Sequence, residues 1–344
     1  MAVAPATGEQ AETLREDGWR RFIPAMLLFL FVPFVPHLRI VAPVQETIAF
    51  IAPGMAVCAL LGWRAGGRGS LALIWTALAV WTVMRPISPD VAYDGIARSW
   101  ALLLAATFGV VSILNKGKGS FFPRALAATM LTLAMVGGML LVRPGAFRTY
   151  ADTLRGQIDR RGAEELAKWD ATASTPEWKA MEEKSQAVLN LSAEVVRFWN
   201  EVPKATAQVA PALLALESLA ALALVWGLYH RVSRVRLGPP LGALRYFRFN
   251  DQLIWGLIAG ITLVVLPTLQ PFRAIGLNVL VFLGVLYLLR GLGVLSWFLA
   301  PRRIALALLI VIAILSWPII GLFSIGLGLG DTWLDLRRRV RPTS

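Results

Sequence analysis

Three ionisable residues stand within or at the edge of apolar stretches: Glu217 in ALLALESLAALAL, Arg290 in LYLLRGLGVL, and Glu46 where the second apolar segment opens. A charge at the centre of a bilayer costs at least ~2.5 kcal/mol on insertion scales, so each should pair, meet water or contact a solute. Glu217 and Arg290 have opposite sign, and pairing them would offset part of their desolvation. Such a pair would either fix helix packing or line a polar cavity where a solute binds. Asp251 begins the seventh apolar segment, and Asp331 and Asp335 close the ninth.

Other chemistry is thinly supplied. Cys58 is the single cysteine, so no intrachain disulfide and no CxxC exist. His37 and His230 each stand alone at the end of an apolar stretch, which suits a structural or interfacial histidine better than a metal ligand. GxxxxGK[ST], HExxH and GxSxG are all missing. The expectation is a protein that is not an enzyme and has no metal and no cofactor.

The elements that must carry these residues are membrane helices. Of 344 residues, 57% are hydrophobic and 16% charged, with a mean hydropathy of +0.63. A soluble domain carries roughly 25% charged residues. Nine apolar segments run over 22–36, 46–63, 70–84, 96–114, 121–142, 207–229, 252–268, 274–299 and 303–329. Several approach the ~20 residues that cross a bilayer as a helix. The first carries Pro24, Pro33 and Pro36, and the last carries Pro318, so kinks or breaks are expected there. The fold class that follows is all-α: a polytopic transmembrane helical bundle of 8–9 spans with a polar amphipathic helical insert.

That insert sets the domain plan: a polar tail over 1–21, an N-terminal bundle over 22–142, a helical hairpin over 143–205, a C-terminal bundle over 206–330 and a basic tail over 331–344. The insert holds ten Lys/Arg and ten Asp/Glu, so the net charge of +13 resides elsewhere. Ser174-Thr175-Pro176-Glu177 supplies cap candidates, a first-turn proline and a capping-box glutamate. Beyond it Val188, Leu191, Val195 and Phe198 make an apolar stripe, faced by Tyr150, Leu154 and Ile158 before it. The stripe can pack within the protein, lie in the interface or bind a partner.

Short loops rich in Arg and Lys stay cytoplasmic. With the N-terminus inside, inner segments hold 15 bases and outer ones 8, four of which are Arg337, Arg338, Arg339 and Arg341 in the tail. Nine spans put that tail outside, against its own preference, so one segment should fall short of a full span. The first is the candidate. The charge thus points to anionic lipid and not to nucleic acid. Gly256-x-x-x-Gly260, Gly326-x-x-x-Gly330 and Ala134-x-x-x-Gly138 would let helices approach closely. Most of the tryptophans, Trp63, Trp81 and Trp255 among them, sit near segment ends as an interfacial belt would.

The second half has a family texture. A basic-aromatic lead-in, RYFRFNDQLIWGLIAG, enters a helix; LYLLRGLGVLSWFLA follows; GLGLGDTWLDLRRRVR closes with a D-x-W-x-D-x-R-x-R pattern. Order and spacing over roughly 195–341 resemble the YybS-like family of bacterial membrane proteins. The resemblance implies a membrane core similar to the substrate-binding subunits of energy-coupling-factor transporters, hence a small-molecule or lipid cavity in a bacterial inner-membrane protein. It carries over no catalytic residue. Those subunits show an AxxxA-type face on the first helix, and FIPAMLLFLFVPFVP has none. Two functions stay open: a small-molecule-binding or transport subunit using Glu217, Arg290 and Glu46, or a non-enzymatic scaffold or assembly factor binding a membrane-protein partner through the 143–205 arm.

Overall fold

The computed structural model describes residues 18–31, 44–86, 90–115, 119–299 and 317–339. The described residues are helical with short turns, in two compact units, 1–240 and 241–344.

Each of the nine apolar segments yields a described helix. In the first unit these are α1 (Gly18–Phe31), α2 (Val44–Arg64), α3 (Gly69–Met84), α4 (Val91–Leu114), α5 (Phe121–Val142) and, after the insert, α9 (Ala210–Val232). The insert supplies α6 (Ala146–Ala173), α7 (Pro176–Lys184) and α8 (Gln186–Gln208). The second unit has α10 (Leu253–Val265), α11 (Arg273–Leu299), α12 (Trp317–Leu334) and a last turn, α13 (Leu336–Arg339). Five stretches are long and apolar enough to cross a membrane: Thr47–Arg64, Val91–Leu114, Phe121–Val142, Ala210–Val232 and Pro267–Leu299. Four are shorter: Phe22–Phe31, Gly69–Met84, Leu253–Val265 and Ile319–Leu334. His37 and residues 303–316 of the ninth segment lie outside the described residues.

In the first unit α2, α4 and α9 run parallel to one another. Thr47 faces Glu217 and Gly54 faces Val225 along α2 and α9. Trp100 meets Ser218 and Phe108 meets Trp226 along α4 and α9. α5 returns between them, its Phe121 5.7 Å from the Trp226 ring. In the core formed there Trp226, Phe108, Val225, Tyr229, Met55 and Cys58 are fully buried. α9 therefore belongs to the first unit, not to a C-terminal bundle beginning at 206. The division follows packing, and α9 packs on α2, α4 and α5.

The loop 65–68, residues 119–120 and the loop 233–240 meet at one end of this unit. Gly67 approaches Val235. Arg124, one turn into α5 and 2% exposed, donates to Gly119 O at 2.8 Å and Leu237 O at 3.0 Å, with its guanidinium over the Trp226 ring. The arm rises from the other end. Gly145, at φ +78°, makes the left-handed turn into α6 that a side chain with a Cβ adopts only at a cost. Thr175 then caps α7, with Pro176 in its first turn. α8 returns along α6. Asp90 caps α4 by accepting from Ala92 N and Tyr93 N, and its other oxygen pairs with Arg160, tying the arm to the α4 terminus.

The second unit is built on α11. α10 lies antiparallel to its first half, with Gly256 against Leu283 and Gly260 against Leu280 and the Gly276 carbonyl. α12 lies antiparallel further along, where Gly291 abuts the Ser324 carbonyl and Gly328 abuts the Tyr287 carbonyl. A Cβ at either position would overlap backbone, so these two glycines set the crossing. Gly326 and Gly330 face open space, as does Gly138 in the first unit. The packing register is therefore Gly328, two residues along from Gly326. Period alone does not select among several glycines on one helix.

Candidate functional site

Arg290 is 2% exposed on α11. Its Nε donates to Asp331 Oδ2 at 2.9 Å, its Nη1 to Asp251 Oδ1 at 2.6 Å and its Nη2 to the Asp331 carbonyl at 3.1 Å. Arg337 adds a second guanidinium to the same carboxylate, 2.7 Å from Asp331 Oδ2, and also donates to the carbonyls of Arg245 and Phe247. The Phe249 ring covers Arg290. Arg248 reaches Asp335, the positive-φ residue between α12 and α13, at 2.5 Å.

This corrects the pairing expected from sign and depth. The acids on Arg290 are Asp331 and Asp251, rather than Glu217. The reason is local: α10 begins and α12 ends beside Arg290, each terminus brings an aspartate, and a guanidinium's five donors can serve both. Arg290 also lies about 26 Å along the helix from Arg273. If Arg273 marks one boundary of a ~30 Å hydrocarbon core, the cluster is near the other boundary. Two arginines and two aspartates balance in charge, and Asp331 is fully enclosed while Asp251 keeps 61% of its side chain exposed. The arrangement is suited to holding three chain segments together. Arg337 consequently lies against the 245–247 lead-in, at the end where α10 starts.

Glu217 is half-buried on α9 and accepts a 2.6 Å hydrogen bond from Thr47 Oγ1, itself 1% exposed. Glu46 lies in the first turn of α2, and its side chain is outside the described residues. His230 is buried, with Nδ1 2.9 Å from the Trp226 carbonyl and its ring against Trp226 and Tyr229. Trp63, Trp81 and Trp255 are exposed, whereas Trp100 is buried and donates to Ser218.

On the arm, Val195 and Phe198 pack with Val202 against a core of Ile158 and Trp199. Gly162 of α6 fits against Pro203 of α8. Val188 is half-buried and Leu191 is 51% exposed, so Leu191 is off the packed face. The face in use runs through Val188, Ser192, Val195, Trp199 and Pro203, a helical spacing that the apolar residues alone did not reveal because Ser192 interrupts it. Ser192 is there for a polar purpose: it joins Glu182 and the Trp178 indole at the hairpin tip. Arg124 was missed too. Its one signal is position, one turn into an apolar helix in line with the buried Ala128.

Outside the spans, Asp90 has its carboxyl held below the usual range by the Tyr93 N–H, then by Arg160 and the Ala92 N–H.

Between α4, α5 and the start of α6 lies a groove of about 400 Å³, lined by Gly95, Ile96, Ser99, Trp100, Leu103, Val136, Met139 and Tyr150 among others.

No curated protein and no solved structure matches the chain. Residues 171–332, from the end of α6 to the end of α12, match a family model described as "Predicted membrane protein (DUF2232)". With its apolar helices, that similarity supports a multi-pass membrane protein akin to a family of membrane proteins.

Proposed function

We propose that this chain is a non-enzymatic membrane scaffold or assembly factor that binds a protein partner through the α6–α8 arm. The supporting observation is that α8 has two apolar stripes and uses one. Val195, Trp199 and their neighbours pack on α6. Beside them Leu189, Ala193 and Val196, one helical stripe, stay exposed, as does Leu191. A stripe that the hairpin leaves uncovered is what a helix-in-groove partner engages.

The other reading, a small-molecule-binding or transport subunit, rests on the YybS-like resemblance and its link to energy-coupling-factor subunits. It requires polar side chains free to meet a solute. Arg290 is instead engaged by Asp331 and Asp251 and covered by Phe249.

The proposed setting is a bacterial inner membrane, with the arm on the face away from the cytoplasm. The basic loops around Arg64, Arg68, Arg234 and Arg236 gather at the opposite end of the same unit. The test is a photo-crosslinking residue at position 193 in cells, with and without Leu189→Glu and Val196→Glu. A discrete crosslinked protein that both substitutions abolish, at unchanged melting temperature, supports the scaffold. A chain that crosslinks to nothing but lipid, or whose crosslink ignores both substitutions, ends it.

A further inference from the structure

Neither the ion-pair cluster nor the arm stripe accounts for the groove between α4 and α5. Its walls are apolar, with Ile96 and Leu103 on α4 facing Val136, Met139 and Leu140 on α5. Its floor is Trp100, held by the Ser218 hydroxyl. Its polar atoms come from Ser99 and Tyr150. Both walls belong to helices long and apolar enough to span, so within a bilayer the groove would face acyl chains. A Cβ built at Gly95 meets nothing within 4 Å, so that glycine is part of what keeps the groove open.

Two measures identify an occupant. The first is depth. The α4 lining runs from Ala92 to Leu103, about 16 Å of helix and so close to half of a ~30 Å hydrocarbon core. The groove is therefore one leaflet deep, and its volume of about 400 Å³ falls within the usual range for ligand sites. The second is charge at the rim. Arg143 is the C-cap of α5, three residues after Leu140 and four after Met139, just past the end of the groove wall. It is exposed, and its guanidinium has no acid partner among the described residues.

We propose that this groove is a binding site for an anionic phospholipid of the leaflet next to the arm, with one acyl chain between α4 and α5 and the phosphate at Arg143. A chain satisfies the apolar walls, and a headgroup at the helix ends gives the rim cation its counter-charge. This site is independent of any protein partner on α8.

The test uses the full-length protein purified in detergent, titrated with phosphatidylglycerol or phosphatidylcholine of identical chains and read by native mass spectrometry. The wild type should retain phosphatidylglycerol about fivefold more tightly, the effect of one arginine at an anionic surface. Arg143→Gln should bring the two lipids level. Gly95→Phe, whose ring enters the groove, should remove retention of both while the melting temperature holds. Equal retention of the two lipids by the wild type overturns the proposal, as does Gly95→Phe that folds and retains lipid unchanged. Should Gly95→Phe fail to fold, a phosphatidylglycerol with a photoactivatable chain decides on the unaltered protein. Crosslinks at residues 92–103 and 136–140 support the site, and crosslinks confined to other helices overturn it.

Discussion

Arg290 Nε and Asp331 Oδ2 lie 2.9 Å apart, with 2% of one side chain and none of the other open to solvent. The bond joins α11 to the end of α12, and Arg337 turns the same carboxylate toward the 245–247 lead-in. Removing one partner of a buried pair leaves an uncompensated charge. Asp331→Asn should therefore lower stability in detergent by about 3–5 kcal/mol, and Arg290→Gln by a similar amount. The double substitution should lose less than the sum, since it removes one of the two guanidiniums that Asp331 balances while Arg337 stays without its carboxylate. Additive losses by thermal unfolding would mean the pair is not coupled.

Glycine position supplies a second prediction. Gly291→Ala and Gly328→Ala each drive a methyl into the facing backbone, at Ser324 and Tyr287. Overpacking of this kind costs typically 1–3 kcal/mol and more when backbone must move. Gly326→Ala and Gly330→Ala meet nothing and should be neutral or gain up to ~1 kcal/mol in helix propensity. A reversed order in melting temperatures would place α12 in the other register.

The arm separates its two faces in the same way. Val195→Asp buries a charge against Ile158 and Trp199 and should cost roughly 1–3 kcal/mol. Leu191→Asp, on an exposed position, should leave the stability within ~0.5 kcal/mol of the parent. Equal effects from the two would put α8 on α6 through a different face.

Asp90 gives the arm a pH dependence. Its folded pKa is lowered by the Tyr93 N–H, Arg160 and the Ala92 N–H. The stability it adds is present above its unfolded value near 3.8 and is lost as pH falls through the lower folded value. Protease cutting within 146–208 should rise in that acid window, and Asp90→Asn, which can still cap α4, should flatten the rise. An unchanged acid profile in Asp90→Asn would assign the transition to other carboxylates.

Orientation can be read with cysteines, because Cys58 is fully buried and should stay silent. Arg234→Cys should react with an impermeant maleimide only after cells are opened, and Ala193→Cys should react in intact cells. Arg234→Cys labelled from outside reverses the proposed sidedness.

Much of the fold was legible along the chain because membrane helices announce themselves locally. A run of apolar residues long enough to cross hydrocarbon must be helical, since its backbone groups have no water to bond. The five stretches long enough to cross carry helices for that reason, and the Thr175-Pro176 cap of α7 rests equally on neighbours in sequence. What the sequence left open depends on where one helix lies along another. Apolar surface packs without a preferred partner, so nothing in α9 says that it joins α2 and α4. The hydropathy of α12 does not say that it ends beside the start of α10. Only that offset brings Asp331 and Asp251 to Arg290. It also makes Gly328 the contact glycine in a helix that has Gly326 and Gly330 on either side. Charge sign and hydropathy are properties of a segment, whereas partner and register come from interhelical distances that only the packed structure fixes.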